Sequence, residues 1–278
     1  MGSSCSFLYI NSVLLFTLRN KQVFCETPRF ILLYNLLFAD TAHLVANLVL
    51  YILAFFKMKM TYYACGALIL ISLFTLTVSP VTLAVMSVER FVAVWYPLRH
   101  ATIFTMKSTV MAIALVWAFS FIHILIRVFM LLYLFTKISF NLHKIDYCTK
   151  YVIFFAPIFN DFDEVYALVL FLSVGAAIMA SYIGVALVAR SASTDKASAR
   201  KALRTMLLQM VQLCLALIST MYNNIILLTA KIVRGLALMC IQNACFVFFN
   251  ILPRCLSALI YGFRDQTIRP FLLKNLCP

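Results

Sequence analysis

The sequence contains few of the residues from which catalytic and metal-binding sites are usually built. Among its 278 residues are 9 Asp or Glu, 6 Gly and 4 His. It has no His-Glu-x-x-His zinc motif and no glycine-rich loop of the kind that holds phosphate groups. With so few acids and so few flexible backbone positions, little material for catalysis remains. The composition therefore argues against an enzyme.

Charged residues are scarce as well: they make up 12% of the chain, while hydrophobic residues make up 64%. The apolar share of an ordinary soluble domain is nearer half, so the sequence predicts an all-α, polytopic protein of the lipid bilayer. The formal charge of +14 does not indicate binding to nucleic acid, because the cations are spread over short loops between apolar runs. We recognise no cleavable signal peptide, so we expect the first span to insert the chain.

Seven apolar runs predict the membrane-spanning helices of a single domain over residues 1–278. They cover residues 5–18, 31–55, 62–94, 109–133, 165–188, 205–228 and 236–261. The first run has 14 residues, short of the roughly 17–25 that a spanning helix needs, so we expect a seven-helix bundle with a truncated first helix. Residues 136–164 are expected to form the longest loop. Residues 264–275 predict a short amphipathic helix on the membrane surface.

The most informative stretch is Met86–His100. It closes a long apolar run with an adjacent acid and base, Glu89 and Arg90, and Pro97 then stops the helix. Taken alone, an arginine at a membrane boundary is most often an anchor that reaches water. Cys65, however, precedes Arg90 by a length of helix of roughly 37 Å at 1.5 Å per residue. The two residues are therefore expected on opposite sides of the membrane.

The run Met-Ser-Val-Glu-Arg-Phe-Val-Ala-Val-Trp-Tyr-Pro-Leu-Arg-His-Ala-Thr, with Cys65 upstream, resembles the third helix and following loop of rhodopsin-like (class A) G-protein-coupled receptors. The amino-acid sequence of this run is most similar to the odorant-receptor branch, and within it to the fish odorant receptors. The resemblance extends from Phe7 to the C-terminus. It implies a receptor that binds a small-molecule odorant in the outer half of the bundle and activates a heterotrimeric G protein.

The resemblance also implies roles for particular residues. It places a disulfide between Cys65 and Cys148, which an oxidising exterior permits. The residues of the G-protein switch would be Glu89, Arg90, Phe91, Tyr182 and Tyr261. Helix position suggests a ligand pocket, although most of its members could equally be core packing: Ile69, Ser72, Leu73, Leu76, Leu217, Thr220, Asn243, Phe246, Val247 and Asn250.

Asp40 places a carboxylate inside an otherwise apolar helix. This position costs several kcal/mol unless the group is paired, protonated or hydrated. In the family that the chain resembles, this aspartate holds a sodium ion with help from hydroxyl groups, and Ser79 and Ser257 are the matching residues here. The alternative is a structural hydrogen-bond hub that holds no ion, and the sequence leaves both interpretations open. Apart from this sodium ion, no cofactor or metal is expected.

The distribution of Lys and Arg between the apolar runs predicts the orientation of the chain in the membrane. The segments predicted to face the cytoplasm hold roughly twice as many Lys and Arg as those predicted to face outside, which indicates a plasma-membrane protein with its N-terminus outside and its C-terminus in the cytoplasm.

A transporter or channel would need several ionisable groups within the membrane or broken helices in two matching halves. We find one acid, Asp40, and no internal repeat. A truncated receptor relic that no longer signals is a further alternative.

Overall fold

The computed structural model describes residues 2–20, 22–56, 58–137, 148–191, 200, 203–215, 229, 232–233, 235–252 and 254. The predicted amphipathic helix 264–275 lies outside these residues, as do four of the predicted site residues. These four are Leu217, Thr220, Ser257 and Tyr261.

Four of the described helices are long and apolar enough to cross a membrane. They are α3 (Pro28–Phe55), α4 (Tyr62–Trp95), α6 (Met106–Lys137) and α8 (Pro157–Ser191). The 34 residues of α4 correspond to a rod of about 51 Å, which exceeds the roughly 30 Å of the hydrocarbon core. These helices coincide with the predicted second to fifth spans, and they form a helical membrane bundle.

The remaining helices are shorter. They are α1 (Gly2–Asn20), α2 (Gln22–Cys25), α5 (His100–Ile103), α7 (Lys150–Ile153), α9 (Leu203–Leu215), α10 (Leu236–Cys245) and a π-helix at Phe246–Ile251. Helix α1 contains the predicted first span, 5–18. Helix α9 covers the start of the predicted sixth span, and α10 with the π-helix covers the start of the seventh.

Local sequence explains where α3 begins and where α4 begins and ends. Helix α3 starts at Pro28, whose fixed φ suits the first helical position. Before α4, the Thr61 hydroxyl accepts a hydrogen bond from the backbone N–H of Ala64 at 3.4 Å, as an N-cap residue does. Helix α4 continues through Pro80 and ends at Trp95, just before Pro97. A proline therefore marks the start of α3, and a hydroxyl residue and a proline mark the two ends of α4.

Helix α8 begins at Pro157 rather than at residue 165. Asp161, Asp163 and Glu164 consequently belong to its first turns and not to the predicted loop. The apolar pattern predicted that the membrane span starts at residue 165, directly after the acidic residues. A helix that projects beyond the hydrocarbon does not have to be apolar there, so hydropathy alone locates the membrane boundary and not the end of the helix.

Helix α4 is the central helix of the described bundle, since it packs against α3, α6 and α8. The largest apolar core lies between α1, α3, α4, α8 and α9, with Leu36, Leu83 and Ile178 among its buried members. Hydrogen bonds also connect α6 to α3 and α3 to α4. The Trp117 indole N–H donates to Asn35 Oδ1 at 2.8 Å, and Asn35 Nδ2 donates to Thr82 Oγ1 at 3.1 Å.

Candidate functional site

Glu89 and Arg90 form an ion pair at one end of α4. The Arg90 Nε lies 3.1 Å from Glu89 Oε2, and the two side chains are 17% and 4% exposed, Arg90 being the more exposed. A carboxylate this deeply buried needs a partner, because an unpaired buried charge is costly. The arginine is thus folded back on its neighbour rather than extended into water.

A histidine contacts the same carboxylate. His100, the first residue of α5, places its Nε2 3.2 Å from Glu89 Oε1. The chain turns at residues 97–99, and this turn places His100 next to Glu89 near the end of α4. His100 was not among the residues to which the sequence assigned a role. Its position in the Pro-Leu-Arg-His run, shortly after a charged pair, was the available signal.

Beside the ion pair, an apolar group joins three helices. Phe91 of α4, Tyr182 and Val185 of α8, and Met206 of α9 pack together, and we call them the Phe91 cluster. The backbone of Gly184 lies directly against the Phe91 ring, so that a Cβ at this position would overlap it. The structure therefore brings together Phe91 and Tyr182 of the predicted switch.

At the opposite end of α4, Cys65 forms a disulfide with Cys148. This pairing was expected from the family resemblance and is confirmed. The Tyr62 hydroxyl donates a hydrogen bond of 2.8 Å to the carbonyl oxygen of Ile153 in α7. Cys65, Cys148, Ile153, Phe154 and Phe159 share one buried apolar cluster, which we call the Cys65 cluster. The segment that contains α7 is thus fixed against the end of α4.

Between these two ends, Asp40 of α3 makes two short contacts through one oxygen. Its Oδ1 accepts a hydrogen bond from the Ser79 hydroxyl at 2.6 Å and another from Arg254 Nη1 at 3.0 Å. Asp40 is 1% exposed and Arg254 3% exposed. Ser79 therefore lies where the sequence predicted a partner for Asp40. Arg254 was not predicted.

Comparison with known proteins identifies the family of this chain. The family model described as 7 transmembrane receptor (rhodopsin family) matches residues 11–259. The chain belongs to this family. A zebrafish (Danio rerio) relative, odorant receptor 131-2, is 34% identical over 261 residues, which cover 93% of this chain and 79% of the relative. The resemblance to class A receptors is confirmed, and the family consists of multi-pass membrane receptors rather than enzymes.

In this rhodopsin-family chain, the predicted pocket residues of α4 have packing roles. Ile69 belongs to the Cys65 cluster, and Leu73 packs against it. Ser72 faces α3 instead, since its hydroxyl donates to Asn47 Oδ1 at 3.3 Å. Leu76 is half-buried. The ligand pocket stays a prediction.

The pocket residues predicted on the last span also approach α3. Phe246 and Val247 of the π-helix pack against Leu44 of α3. The Phe246 ring lies 5.5 Å from that of Tyr51, centroid to centroid. The side chains of Asn243 and Asn250 lie outside the described residues. In the described part of the receptor, the last span is therefore held against the second span.

A buried polar group that was not predicted from the sequence links α3 to α4. The Nε2 of His43 lies 2.8 Å from Asn47 Nδ2, and its Nδ1 lies 3.0 Å from the carbonyl oxygen of Ser72. The Thr75 hydroxyl is 3.3 Å from the same Nδ1. A ring that carries its proton on Nδ1 can donate to the carbonyl and accept from the amide. The signal was a lone histidine in an apolar helix.

Near the Cys65 cluster, a carboxylate is shared by two cations. Asp163 contacts both Arg127 of α6 and Lys150 of α7. Burial and the nearby charge of Arg127 lower the pKa of Lys150 from 10.5 to about 8. The aromatic rings of Phe154 and Phe162 lie 5.6 and 5.4 Å from the Arg127 guanidinium. We call Arg127, Lys150 and Asp163 the Arg127 triad, and it has one cation in excess.

Proposed function

We propose that this rhodopsin-family protein is a chemosensory receptor of the odorant type. It crosses the plasma membrane seven times, with its N-terminus outside and its C-terminus in the cytoplasm. It binds a small molecule in the outer half of the bundle and promotes nucleotide exchange on a heterotrimeric G protein. The identity of the zebrafish relative supports the odorant class, and the four long apolar helices support the multi-pass topology.

The observation that carries this proposal is the ion pair of Glu89 and Arg90 beside the Phe91 cluster. The pair closes the cytoplasmic end of α4, and the cluster connects that end to α8 and α9. Outward movement of α9 would open the Phe91 cluster and free Arg90 from Glu89. A minor conformation of this kind can be selected by a partner protein that binds to it.

The ligand acts at the other end of α4, close to the Cys65 cluster. The disulfide and the hydrogen bond from Tyr62 hold the loop with α7 over the bundle. This loop therefore has a fixed position next to the outer half of the bundle. Leu73 is half-buried at this level and packs against the cluster, and an apolar side chain of this kind suits a small, largely apolar molecule. To activate the receptor, the ligand has to bind the open and closed states with different affinities.

The test is nucleotide exchange on a purified heterotrimeric G protein, driven by membranes that contain the receptor. A panel of small odorants is screened first on the parent chain, with surface display measured through an epitope at the N-terminus. Arg90→Ala should keep surface display and ligand binding and lose ligand-driven exchange. Arg99→Ala, which changes a cation in the turn before α5, is the matched control and should keep exchange. Normal exchange by Arg90→Ala would overturn the proposed role of the ion pair.

A further inference from the structure

The buried site around Asp40 holds one negative and one positive charge. Asp40 is the only acidic residue between positions 27 and 88, and Arg254 is the only Lys or Arg between positions 235 and 263. They are 214 positions apart, yet Nη1 of Arg254 lies 3.0 Å from Oδ1 of Asp40. Each of these two spans thus contributes a single charge, and the fold pairs the two.

Burial makes this pairing a requirement. The two side chains are 1% and 3% exposed, and a buried carboxylate without a cation, or a buried guanidinium without an anion, is strongly destabilising. A guanidinium carries a permanent positive charge. With Ser79 donating to the same carboxylate oxygen, the site therefore contains both a full counter-charge and a neutral hydrogen-bond donor.

This arrangement does not fit a bound sodium ion. A sodium ion at Asp40 would stand close to the Arg254 guanidinium, since both would approach the same carboxylate. The site would then contain two positive charges and one negative charge, all out of contact with water. Repulsion between close charges is strongest in such a low-dielectric environment. The donor set of Asp40 and Ser79 suits a hard cation, but the guanidinium already occupies that role.

We propose that Arg254 is a tethered cation that replaces sodium in this receptor. Because the cation is part of the chain, the link from α3 to the last span does not depend on the ion concentration of the surrounding solution. The parent protein is therefore insensitive to sodium, and removal of the Arg254 side chain exposes a sodium site formed by Asp40 and Ser79. This inference goes beyond the proposed signalling function and needs neither ligand nor G protein.

The test uses the full chain purified in lipid nanodiscs, without ligand. Thermal unfolding is followed in sodium chloride and in N-methyl-D-glucamine chloride at equal ionic strength, which removes the general effect of salt. The melting temperature of the parent protein should be the same in both. Arg254→Ser should melt at a lower temperature without sodium, and sodium at about ten times its Kd should raise this temperature by roughly 3–5 °C.

Two controls make the result specific. Arg254→Lys keeps a cation at the site and should stay insensitive to sodium. The double variant Asp40→Asn with Arg254→Ser removes the carboxylate and should lose the response of the single variant. If Arg254→Ser is too unstable to purify, the parent protein and Arg254→Lys still decide the question. A sodium-specific stabilisation of the parent, or a folded Arg254→Ser protein without any response, would overturn the proposal.

Discussion

The ring of Phe91 in α4 rests directly on the backbone of Gly184 in α8, where no side chain could fit without moving the ring. This contact lies next to Arg90 and inside the Phe91 cluster. A glycine in the middle of a helix is usually unfavourable by about 0.5–1 kcal/mol relative to alanine. Its presence at this contact is therefore explained by the space that Phe91 needs.

Gly184→Ala should destabilise the receptor. The gain in helix propensity is outweighed by overpacking, which typically costs about 1–3 kcal/mol. Gly175 on the same helix is a matched control, since a Cβ there would meet Leu213 at an ordinary distance of 3.9 Å. Thermal unfolding of both variants checks this expectation. Gly184→Ala should melt several degrees below the parent and Gly175→Ala at or above it; equal stability of the two variants would contradict the argument.

His100→Ala should raise exchange in the absence of ligand. Glu89 would lose the contact of 3.2 Å to His100 Nε2, and the closed state that contains this contact would lose stability relative to the open state. A contact worth about 1 kcal/mol corresponds to a roughly fivefold larger open population. Basal nucleotide exchange per receptor at the surface measures this change.

Two variants control for other effects of the His100 substitution. Thr102→Ala changes an exposed position on the same short helix and should leave basal exchange unaltered. His100→Gln restores a hydrogen-bond donor and should bring basal exchange back towards the parent value. If His100→Ala has the basal exchange of the parent, the contact with Glu89 does not bias the switch.

Cys148→Ser should reduce the amount of receptor at the cell surface. The disulfide with Cys65 closes a loop across a sequence separation of 83, and loss of such a constraint costs about 4.5 kcal/mol in the chain-entropy model. The double variant Cys65→Ser with Cys148→Ser should resemble the single one, because each breaks the same bond. Cys214, which is free and exposed, provides a control in Cys214→Ser. Surface staining against total expression gives the readout, and undiminished display of Cys148→Ser would argue against a structural role of the bond.

The sequence was sufficient where the deciding information is local. Glu89 and Arg90 are neighbours in the chain, so their pairing could be predicted from the motif. Thr61 similarly marks the start of α4 by its own chemistry, whereas α3 begins at Pro28 although its span was predicted from residue 31. The start of α8 was predicted too late, because Asp161 and Asp163 look like loop residues although the helix already runs there.

Long-range pairs were harder to predict. Arg254 was assigned no role from the sequence, and only the fold brings it to Asp40. Yet a single cation in one apolar span and a single acid in another are two costly charges that can cancel each other. The charges of each span, counted from the amino-acid sequence alone, leave Arg127 and Arg254 as the candidate partners of Asp40. The position of His100 under Glu89, by contrast, depends on how the chain turns after Pro97, which the sequence does not specify.

The Arg127 triad should make stability depend on pH in the alkaline range. The folded-state pKa of Lys150 is about 8, against 10.5 for a lysine in the unfolded chain. Below pH 8 the Lys150 amine holds its proton in both the folded and the unfolded state, so it contributes no pH dependence to the stability. Between about pH 8 and 10.5 the folded state has released the proton while the unfolded state keeps it, and stability therefore rises with pH. The upper bound of the gain is about 3 kcal/mol, and the screened, partly exposed amine should give less.

Lys150→Gln isolates this effect, because it removes the titrating amine but keeps a polar side chain next to Asp163. The melting temperature of the parent minus that of Lys150→Gln should be constant from pH 6 to pH 7.5 and should increase as the pH passes from 8 to 10. Parallel melting curves for the parent and Lys150→Gln across the alkaline range would mean that Arg127 and Lys150 do not compete for the carboxylate of Asp163.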